Sequence, residues 1–225
     1  MFVVISLGGS LIMQEQPDIK YIKELAQIIR KSPHKFGIVT GGGRIARTFA
    51  QAARGLGASE FEADEIAIDS TRQNARLMTI ALKGVACPHV FTDFEKAYEA
   101  AQHYKVVVMG GTIPGITTDT DAALLAEKVG AKRILNLSNI DGVYTANPRK
   151  DKNAKKFKKM KYQELLDLAG KSDSRKAGTH FVFDFVACKM IGRSGIETHF
   201  INGRNITDLK AAIDGKPHSG TIVRG

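Results

Sequence analysis

Residues 106–121 read Val-Val-Val-Met-Gly-Gly-Thr-Ile-Pro-Gly-Ile-Thr-Thr-Asp-Thr-Asp. The β-branched run at the start of this stretch predicts a buried strand, since such runs are typical of strands covered on both faces. The glycine pair that follows permits a sharp turn and a close approach of the backbone to a ligand. Hydroxyl groups and carboxylates then precede a helical pattern that includes Ala122–Ala126. A strand, a glycine turn and a helix N-terminus in this order predict an anion-binding loop.

The same arrangement recurs at the ends of other predicted strands. Apolar runs at Phe2–Leu7, Phe36–Thr40 and Arg133–Leu137 also predict strands. The four strands end in the following turns: Gly8-Gly9-Ser10, Gly41-Gly42-Gly43, Gly110-Gly111-Thr112 and Ser138-Asn139. Any one of these turns could be purely structural. Their recurrence favours a ligand site, because ligands of parallel sheets bind beyond the carboxyl ends of the strands.

Helical periodicity fills most of the intervals between these strands. In the first interval Ile22, Leu25 and Ile29 fall on one helix face, and Asp18 is predicted to cap the N-terminus. The predicted helices of this part are Asp18–Arg30, Arg44–Arg54, Asp64–Lys83, Phe94–His103 and about Thr120–Val129, with a further strand at Pro88–Phe91. This alternation predicts an α/β fold, a three-layer αβα sandwich around a mostly parallel twisted sheet.

The pattern changes after Ile140. Val143-Tyr144 and the lysine-rich Lys155–Met160 are predicted to pair as a short hairpin, and Gly170–Thr179 is predicted to be polar and mobile. The remaining predicted elements are helices at Tyr162–Ala169, Asp184–Arg193 and Ile206–Ile213, and strands at Thr198–Ile201 and Thr221–Arg224. No boundary divides the chain, so we expect one domain over residues 1–225 with a lobe from about residue 140 onward.

The composition is that of an ordinary globular protein. Hydrophobic residues make up 43% and charged residues 25% of the 225 residues. No run approaches the roughly 20 apolar residues of a membrane span, and Met1 leads into a predicted strand without the features of a signal peptide. These features predict a cytoplasmic protein without membrane association. Cys87 and Cys188 lie far apart, which argues against a disulfide framework or a zinc site.

The net charge of +10 raises the alternative of nucleic-acid binding. Much of the excess lies in the lysine-rich segment from Arg149 to Lys161, for which a solvated surface is the simpler interpretation. The chain has no tryptophan and only 5 tyrosines, and it contains no aromatic RNA-binding motif. Nucleic-acid binding is therefore disfavoured, and the basic balance suits small polyanions such as nucleotides equally well.

The glycine loops do not match the common nucleotide-binding signatures. The chain has no G-x-x-x-x-G-K-[ST] and no G-x-G-x-x-G after its first strand, which disfavours P-loop and dinucleotide-binding folds. Arg47 lies one turn into the helix after Gly43 and would point towards a ligand held at the start of that helix. Asp119, Asp121 and Asp141 lie in or beside the loops, and acids beside phosphate sites hold Mg²⁺ or orient cationic groups. These residues indicate a protein that handles nucleotides or phosphates.

Together, the motifs resemble those of the amino acid kinase superfamily. The resemblance rests on Gly8-Gly9-Ser10, Gly41–Gly43 with Ala46-Arg47, Gly110–Thr112 with Thr117-Thr118-Asp119, and Asn139–Tyr144. Within the superfamily, the pattern is similar to that of the archaeal-type UMP kinase family, over essentially all 225 residues and in the same order. The resemblance implies the carbamate kinase-like fold and transfer of the γ-phosphoryl group of ATP to UMP in pyrimidine nucleotide biosynthesis. It also implies Mg²⁺ as a cofactor, bound as the complex with ATP.

The resemblance further implies roles for particular residues. The ATP-binding residues would be Gly8, Gly9, Ser10, Gly43, Arg47, Ser138, Asn139, Tyr144 and Asn147, the last of them in the lobe that begins near residue 140. The UMP-binding residues would be Gly42, Asp64, Thr112, Ile113, Pro114, Gly115, Ile116, Thr117 and Thr118. Arg47 and Asp184 would act in catalysis near the transferred phosphoryl group, and Arg72 and Asn74 would support the substrate site. No residue is predicted as a metal ligand.

Two positions depart from the family pattern. Many members of the superfamily carry a lysine two residues before the first glycine of the Gly8-Gly9 pair, where this chain has Ser6. The missing positive charge would come from Arg47, Mg²⁺ or a lysine such as Lys176. Asn147 stands where the family has an acid before a proline, which leaves an amide in the adenosine-binding loop.

The resemblance implies a homo-oligomer, a hexamer built as a trimer of dimers. Two alternatives stay open. The first keeps the fold and changes the acceptor to carbamate, acetylglutamate or isopentenyl phosphate; the last usually comes with a histidine shortly after the glycine loop, and Arg44–Arg47 contains none. The second is a non-catalytic nucleotide-sensing or nucleic-acid-binding protein, motivated by Ser6 and the net charge of +10.

Overall fold

The computed structural model describes residues 1–148, 151–172 and 183–225. The strands in these residues are β1 (Phe2–Leu7), β2 (Lys35–Thr40), β3 (Ala86–Phe91), β4 (Val106–Met109), β5 (Arg133–Ser138), β6 (Lys159–Met160), β7 (Glu197–Asn202) and β8 (Thr221–Val223). The helices are α1 (Gly9–Ile12), α2 (Ile19–Lys31), α3 (Gly43–Gly55), α4 (Glu60–Ala81), α5 (Phe94–His103), α6 (Thr118–Lys128), α7 (Tyr162–Ser172), α8 (Phe185–Ser194) and α9 (Ile206–Ile213).

These strands form one sheet in the order β3-β4-β2-β1-β5-β7-β8-β6. Neighbouring strands are parallel throughout, except for the antiparallel pair β7 and β8. The four strands whose ends carry the predicted loops, β4, β2, β1 and β5, are consecutive in this order. Because parallel strands end at the same edge of a sheet, the four loops lie side by side.

Helices cover both faces of the sheet, with an apolar core on each side. Alternate residues of β1 take part in different cores: Val3 and Ile5 pack with α2 and α4 residues, whereas Val4 packs with α6 and α8 residues. This alternation is required of a strand buried on both faces, since successive side chains point in opposite directions. The predicted three-layer αβα fold around a mostly parallel sheet is confirmed.

The predicted helices are confirmed with close boundaries, except at the start of α4 and the end of α7, and the short helix α1 was not predicted. Asp18 caps α2 as expected, because its carboxylate accepts a hydrogen bond from the Tyr21 backbone N–H at 3.0 Å. The predicted start of the next long helix at Asp64 is wrong, since α4 begins at Glu60. Ser59 and Glu62 form a capping box at that end. Asp64 therefore lies in the second turn of α4, where its side chain is free to project from the helix surface.

The predicted hairpin after residue 140 is only partly formed. The backbone N–H of Phe157 donates to the Val143 carbonyl at 2.9 Å, and Tyr144 bridges antiparallel to Lys156. The chain then leaves this contact, and β6 pairs parallel with β8 at the edge of the sheet. Lysines on such an edge discourage pairing with other chains, which gives the basic segment a structural role.

Part of the predicted mobile segment belongs to a helix, since α7 extends through Gly170–Ser172. The rest of that prediction, from residue 173 to Thr179 and including Lys176, lies outside the described residues.

Candidate active site

The first two glycine loops pack directly against each other. A Cβ added to Gly9 would lie 2.1 Å from the backbone nitrogen of Gly43 and 2.5 Å from the carbonyl oxygen of Gly41. Gly43 itself has φ +72°, and a Cβ there would lie 2.7 Å from the Met13 carbonyl oxygen. Gly9 and Gly43 are thus needed for the close contact between the two loops.

Replacing Gly9 with alanine is therefore expected to destabilise the fold. We expect the free energy of unfolding, measured by urea denaturation, to fall by about 3 kcal/mol, because backbone atoms rather than flexible side chains oppose the new methyl group. Gly55→Ala is the matched control: Gly55 lies in the last turn of α3, and a Cβ added there would have no atom within 4 Å. That variant should change stability by less than about 1 kcal/mol. Equal effects of the two substitutions would contradict the packing argument.

A cavity of about 580 Å³ opens beside these loops. Its lining residues are Ser10, Met13, Gln14, Glu15, Gln16, Asp18, Arg44, Arg47 and Asn139. The Asn139 side-chain amide donates to the Ser10 hydroxyl at 2.9 Å and so joins the loops after β5 and β1. Arg44 forms an ion pair with Glu15 at 3.0 Å, whereas no acidic side chain among the described residues pairs with Arg47. The guanidinium of Arg47 is therefore available to an anion in the cavity.

The predicted adenosine loop is held by its own polar contacts. The Tyr144 hydroxyl donates to Asp141 at 2.6 Å, and the Lys156 ammonium donates to the same carboxylate at 2.7 Å. Although burial opposes ionisation, these two contacts hold the pKa of Asp141 below its usual value, and the bond to Asp141 raises the pKa of Tyr144 to about 12. Ser138 accepts from the Ile140 backbone N–H at 3.1 Å. Tyr144 and Asn147 lie outside the lining of the cavity.

The loop between β4 and α6 is fixed at three points. The backbone N–H of Gly115 donates to Asp64 at 2.9 Å, which ties the exposed part of the loop to α4. Arg72, also on α4, donates to the carbonyls of Gly111 and Thr112 at 3.3 and 3.1 Å. Thr112 donates through its hydroxyl to Asp121 at 2.7 Å. Residues predicted from separate motifs, Asp64 and the 112–118 loop, are thus brought together.

A buried acid, Asp121, also supports the loop between β4 and α6. Burial raises the pKa of Asp121 to about 6, even though Thr112 donates to it through both its hydroxyl and its backbone N–H. The Asn74 side chain donates to the Gly41 carbonyl at 2.8 Å, so it supports the second glycine loop rather than facing the 112–118 loop. Arg72 and Asn74 therefore hold the loop backbones.

Asp184 connects α8 to the start of α6. It caps α8 by accepting from the Ala187 backbone N–H at 3.0 Å, and it also accepts hydrogen bonds from the hydroxyls of Thr117 and Thr120. Its side chain is 5% exposed. The acid predicted near the phosphoryl group is thus close to the 112–118 loop, with its carboxylate engaged by protein donors.

Asp119 occupies a position that the sequence pattern left unassigned. Thr117 caps α6, so Asp119 is not the cap. Its Oδ1 atom accepts from the Ser6 hydroxyl at 2.7 Å and from the Asn136 amide at 2.8 Å. Ser6 and Asn136 are register partners on β1 and β5. Burial raises the pKa of Asp119 to about 7, and the charge of Asp184 adds to this rise.

The contact of Asp119 with Ser6 and Asn136 has a signal in the sequence that hydrophobic periodicity does not show. Ser6 and Asn136 are polar residues inside otherwise apolar strands, and both are almost fully buried, at 2% and 7% exposure. A buried polar side chain needs a hydrogen-bonding partner, so two of them in neighbouring strands indicate a shared third group. The lining residues Met13 to Gln16 gave no comparable signal.

Comparison with known proteins assigns the family. The pattern of the Amino acid kinase family matches residues 1–202. The chain belongs to the amino acid kinase family. A uridylate kinase from Pyrococcus abyssi is 44% identical over 225 residues, which covers 99% of each protein.

Solved structures agree with the observed fold. The crystal structure of uridylate kinase from Archaeoglobus fulgidus is 40% identical, with a TM-score of 0.87 over 99% of this chain and 100% of that one. The UMP kinase from Bacillus anthracis is 22% identical with a TM-score of 0.82, and at this identity the likeness concerns the fold. The predicted resemblance to the superfamily is confirmed.

Two further observations concern metal binding and membrane-spanning helices. Among the described residues, no group of at least three histidine, cysteine, aspartate or glutamate side chains is arranged to hold a metal ion. None of the described helices is both long and apolar enough to cross a membrane.

Proposed function

We propose that this chain transfers the γ-phosphoryl group of ATP to UMP and so forms ADP and UDP. The relatives from Pyrococcus abyssi and Archaeoglobus fulgidus are uridylate kinases that match nearly the whole chain, and they bear out the predicted activity. The observation that carries the proposal is the contact between Asp64 and Gly115, because it joins two predicted UMP-binding elements 51 residues apart.

ATP is proposed to bind along the carboxyl ends of β1, β2 and β5. The phosphates would lie at the Gly8–Ser10 and Gly43 backbones and in the adjacent cavity, where Arg47 has no acidic partner among the described residues. The N-termini of α1 and α3 add their N–H groups to this environment. The adenosine would extend towards Ser138, Asn139, Tyr144 and Asn147.

UMP is proposed to bind between α4 and the 112–118 loop. One oxygen of Asp64 accepts from Gly115, and the other has no recorded donor among the described residues, so it can accept from a ribose hydroxyl. Gly42 and the loop residues Thr112–Thr118 would surround the UMP phosphate. Arg72 holds the loop from behind through backbone carbonyls and therefore acts by positioning it.

The chemistry requires positioning and charge stabilisation more than acid–base catalysis. The phosphate of UMP carries its own nucleophilic oxygen, so no strong base is needed to generate the attacking group. Arg47 would stabilise the negative charge of the phosphoryl group during transfer. Asp184 is proposed to act near this group by fixing Thr117 and Thr120, to which it is hydrogen-bonded.

Mg²⁺ is proposed to enter with ATP. When bound to the phosphates, it would offset part of their charge. The acidic residues of the described chain do not form a cation site of their own, so no protein ligand is assigned to the metal.

The chain is proposed to act as a cytoplasmic homo-oligomer, a hexamer built from dimers, in pyrimidine nucleotide biosynthesis. Exposed apolar side chains support self-association: Phe49 and Leu56 lie two turns apart on and just after α3, and Phe61 lies at the start of α4. Their exposures are 56%, 90% and 60%. We also propose that residues 1–225 form one domain, since β7 and β8 complete the same sheet as β1.

The proposal is tested by a coupled assay of ADP release. UMP, carbamate, acetylglutamate and isopentenyl phosphate are supplied separately with MgATP to the full chain. Turnover with UMP above all other acceptors is expected. Preferred turnover with another acceptor would support the alternative enzyme, and tight nucleotide binding without turnover would support the non-catalytic alternative.

A further inference from the structure

Two arginines of α3 line the cavity of about 580 Å³ beside the glycine loops. Arg44 and Arg47 are three positions apart near the start of this helix, so their side chains are neighbours on its surface, and like charges in such a pair repel each other. The N-terminus of α3 adds a partial positive charge at the same place. An anion with several charges is therefore the ligand that this part of the cavity favours.

Glu15 offsets the charge of Arg44 in the structure. The two side chains form an ion pair at 3.0 Å, and both are mostly exposed, at 64% for Arg44 and 79% for Glu15. Exposed ion pairs contribute little to stability, because solvent screens the charges and two long side chains lose conformational freedom. The guanidinium can therefore leave Glu15 for another anion at little cost.

The loop that carries Glu15 does not depend on this ion pair. At one end of the loop, the backbone N–H of Met13 donates to the Gly9 carbonyl at 2.7 Å. At the other end, the Asp18 carboxylate accepts a hydrogen bond from the Arg204 guanidinium at 2.9 Å. Glu15 lies on the exposed turn between these two fixed ends. The loop would therefore keep its position when the ion pair breaks.

We propose that Arg44 exchanges Glu15 for the triphosphate of ATP and so supplies a second cation to the donor side, provided that ATP binds in this cavity as proposed above. A guanidinium donates two parallel hydrogen bonds to a phosphate, and such charge-assisted bonds are stronger than bonds between neutral groups. The triphosphate also carries more negative charge than the single carboxylate of Glu15, so it is the preferred partner. Arg44 thus binds ATP in the ground state, whereas Arg47 acts on the transferred group.

Nucleotide binding can be measured without turnover. Isothermal titration calorimetry on the full chain, without UMP, gives the Kd of the Mg²⁺ complex of a non-hydrolysable ATP analogue. Arg44→Ala should raise this Kd about tenfold because a charge-assisted contact is lost, and Arg44→Lys should restore part of the affinity because it keeps the charge. Glu15→Gln should lower the Kd about threefold, since no ion pair has to be broken. An unchanged Kd in Arg44→Ala would overturn the proposal.

The double variant Glu15→Gln, Arg44→Ala shows whether Arg44 contacts the nucleotide or only masks the charge of Glu15. A direct contact is lost in either background, so Arg44→Ala should raise the Kd at least about tenfold in the Glu15→Gln background as well. If Arg44→Ala weakened binding only when Glu15 is present, masking alone would explain the effect, and the exchange would be refuted.

Glu60→Gln is the matched control for Glu15→Gln. Glu60 forms an ion pair with Arg54 of the same helix at 2.6 Å, and neither residue lines the cavity. The Kd of this variant should stay within about twofold of that of the wild type. A gain in affinity equal to that of Glu15→Gln would show a general effect of charge and would overturn the assignment to the Glu15–Arg44 pair.

Steady-state kinetics separate the roles of the two arginines. Arg44→Ala should raise the KM for ATP about tenfold and leave kcat within about threefold, because a contact made equally in the ground state and the transition state affects binding alone. A fall in kcat without a change in this KM would contradict the proposal. A wild type that binds the analogue but does not turn over UMP would refute the proposed function, and the Kd values would still decide the role of Arg44.

Discussion

Arg47→Ala is expected to lower kcat by about 100- to 1,000-fold, with a smaller change in the KM for ATP. The guanidinium faces the cavity beside the Gly8–Ser10 loop, and no acidic side chain of the described chain neutralises it. The chain also lacks a lysine at position 6, so few positive charges remain to stabilise the phosphoryl group in flight. Steady-state kinetics with MgATP and UMP measure the effect.

Arg54→Ala provides the control for this substitution. Arg54 lies two turns further along α3 on the same face, and its guanidinium forms an ion pair with Glu60 at 2.6 Å. Removing it should leave kcat within about twofold, since exposed ion pairs contribute little. If Arg47→Ala were as active as Arg54→Ala, the role of Arg47 at the phosphates would be refuted.

Asp64→Ala should raise the KM for UMP by about 10- to 100-fold and change the KM for ATP by less than about threefold. The substitution removes the charged acceptor that we propose for the ribose hydroxyls of UMP, and such a hydrogen bond is worth about 1.5–3 kcal/mol. It also removes the hydrogen bond from Gly115, so the 112–118 loop loses this contact with α4. Initial rates at varied UMP and at varied ATP separate the two constants.

Glu65→Ala is the matched control on the same turn of α4, because Glu65 is an exposed acid beside Asp64. Its kinetic constants should stay close to those of the wild type. Equal increases in both KM values of Asp64→Ala would refute the assignment of Asp64 to the acceptor side.

The layered fold could be predicted because its physical causes are local in the sequence. Apolar β-branched runs such as Val106–Met109 are buried on both faces, and helical periodicity lies between them, so a parallel sheet between two helical layers follows. The positions of the loops at one edge follow from the same topology. The predicted start of α4 at Asp64 is wrong because Ser59 and Glu62 form a capping box, which is a stronger signal for a helix N-terminus than a single aspartate.

Contacts between distant segments could be predicted only where the resemblance to a known family placed both segments at the same site. Periodicity places Asp64 on a helix and Gly115 in a loop, but their hydrogen bond depends on how α4 packs beside β4. The contact of Asp119 with Ser6 depends on strand order, because β1 and β5 are neighbours in space and not in sequence. The structure of the segment after residue 140 was harder to predict, because its strands are short. The chain also changes its pairing partner there: Lys156 bridges to Tyr144, whereas β6 pairs with β8.

The specificity for UMP is tested by initial rates of ADP release, measured with each acceptor over the same range of concentrations. We expect kcat/KM for UMP to exceed that for isopentenyl phosphate, carbamate and acetylglutamate by at least about 100-fold, and we expect Asp64→Ala to remove most of this preference. Comparable rates for UMP and another acceptor, or a preference that survives the loss of Asp64, would contradict the proposed specificity.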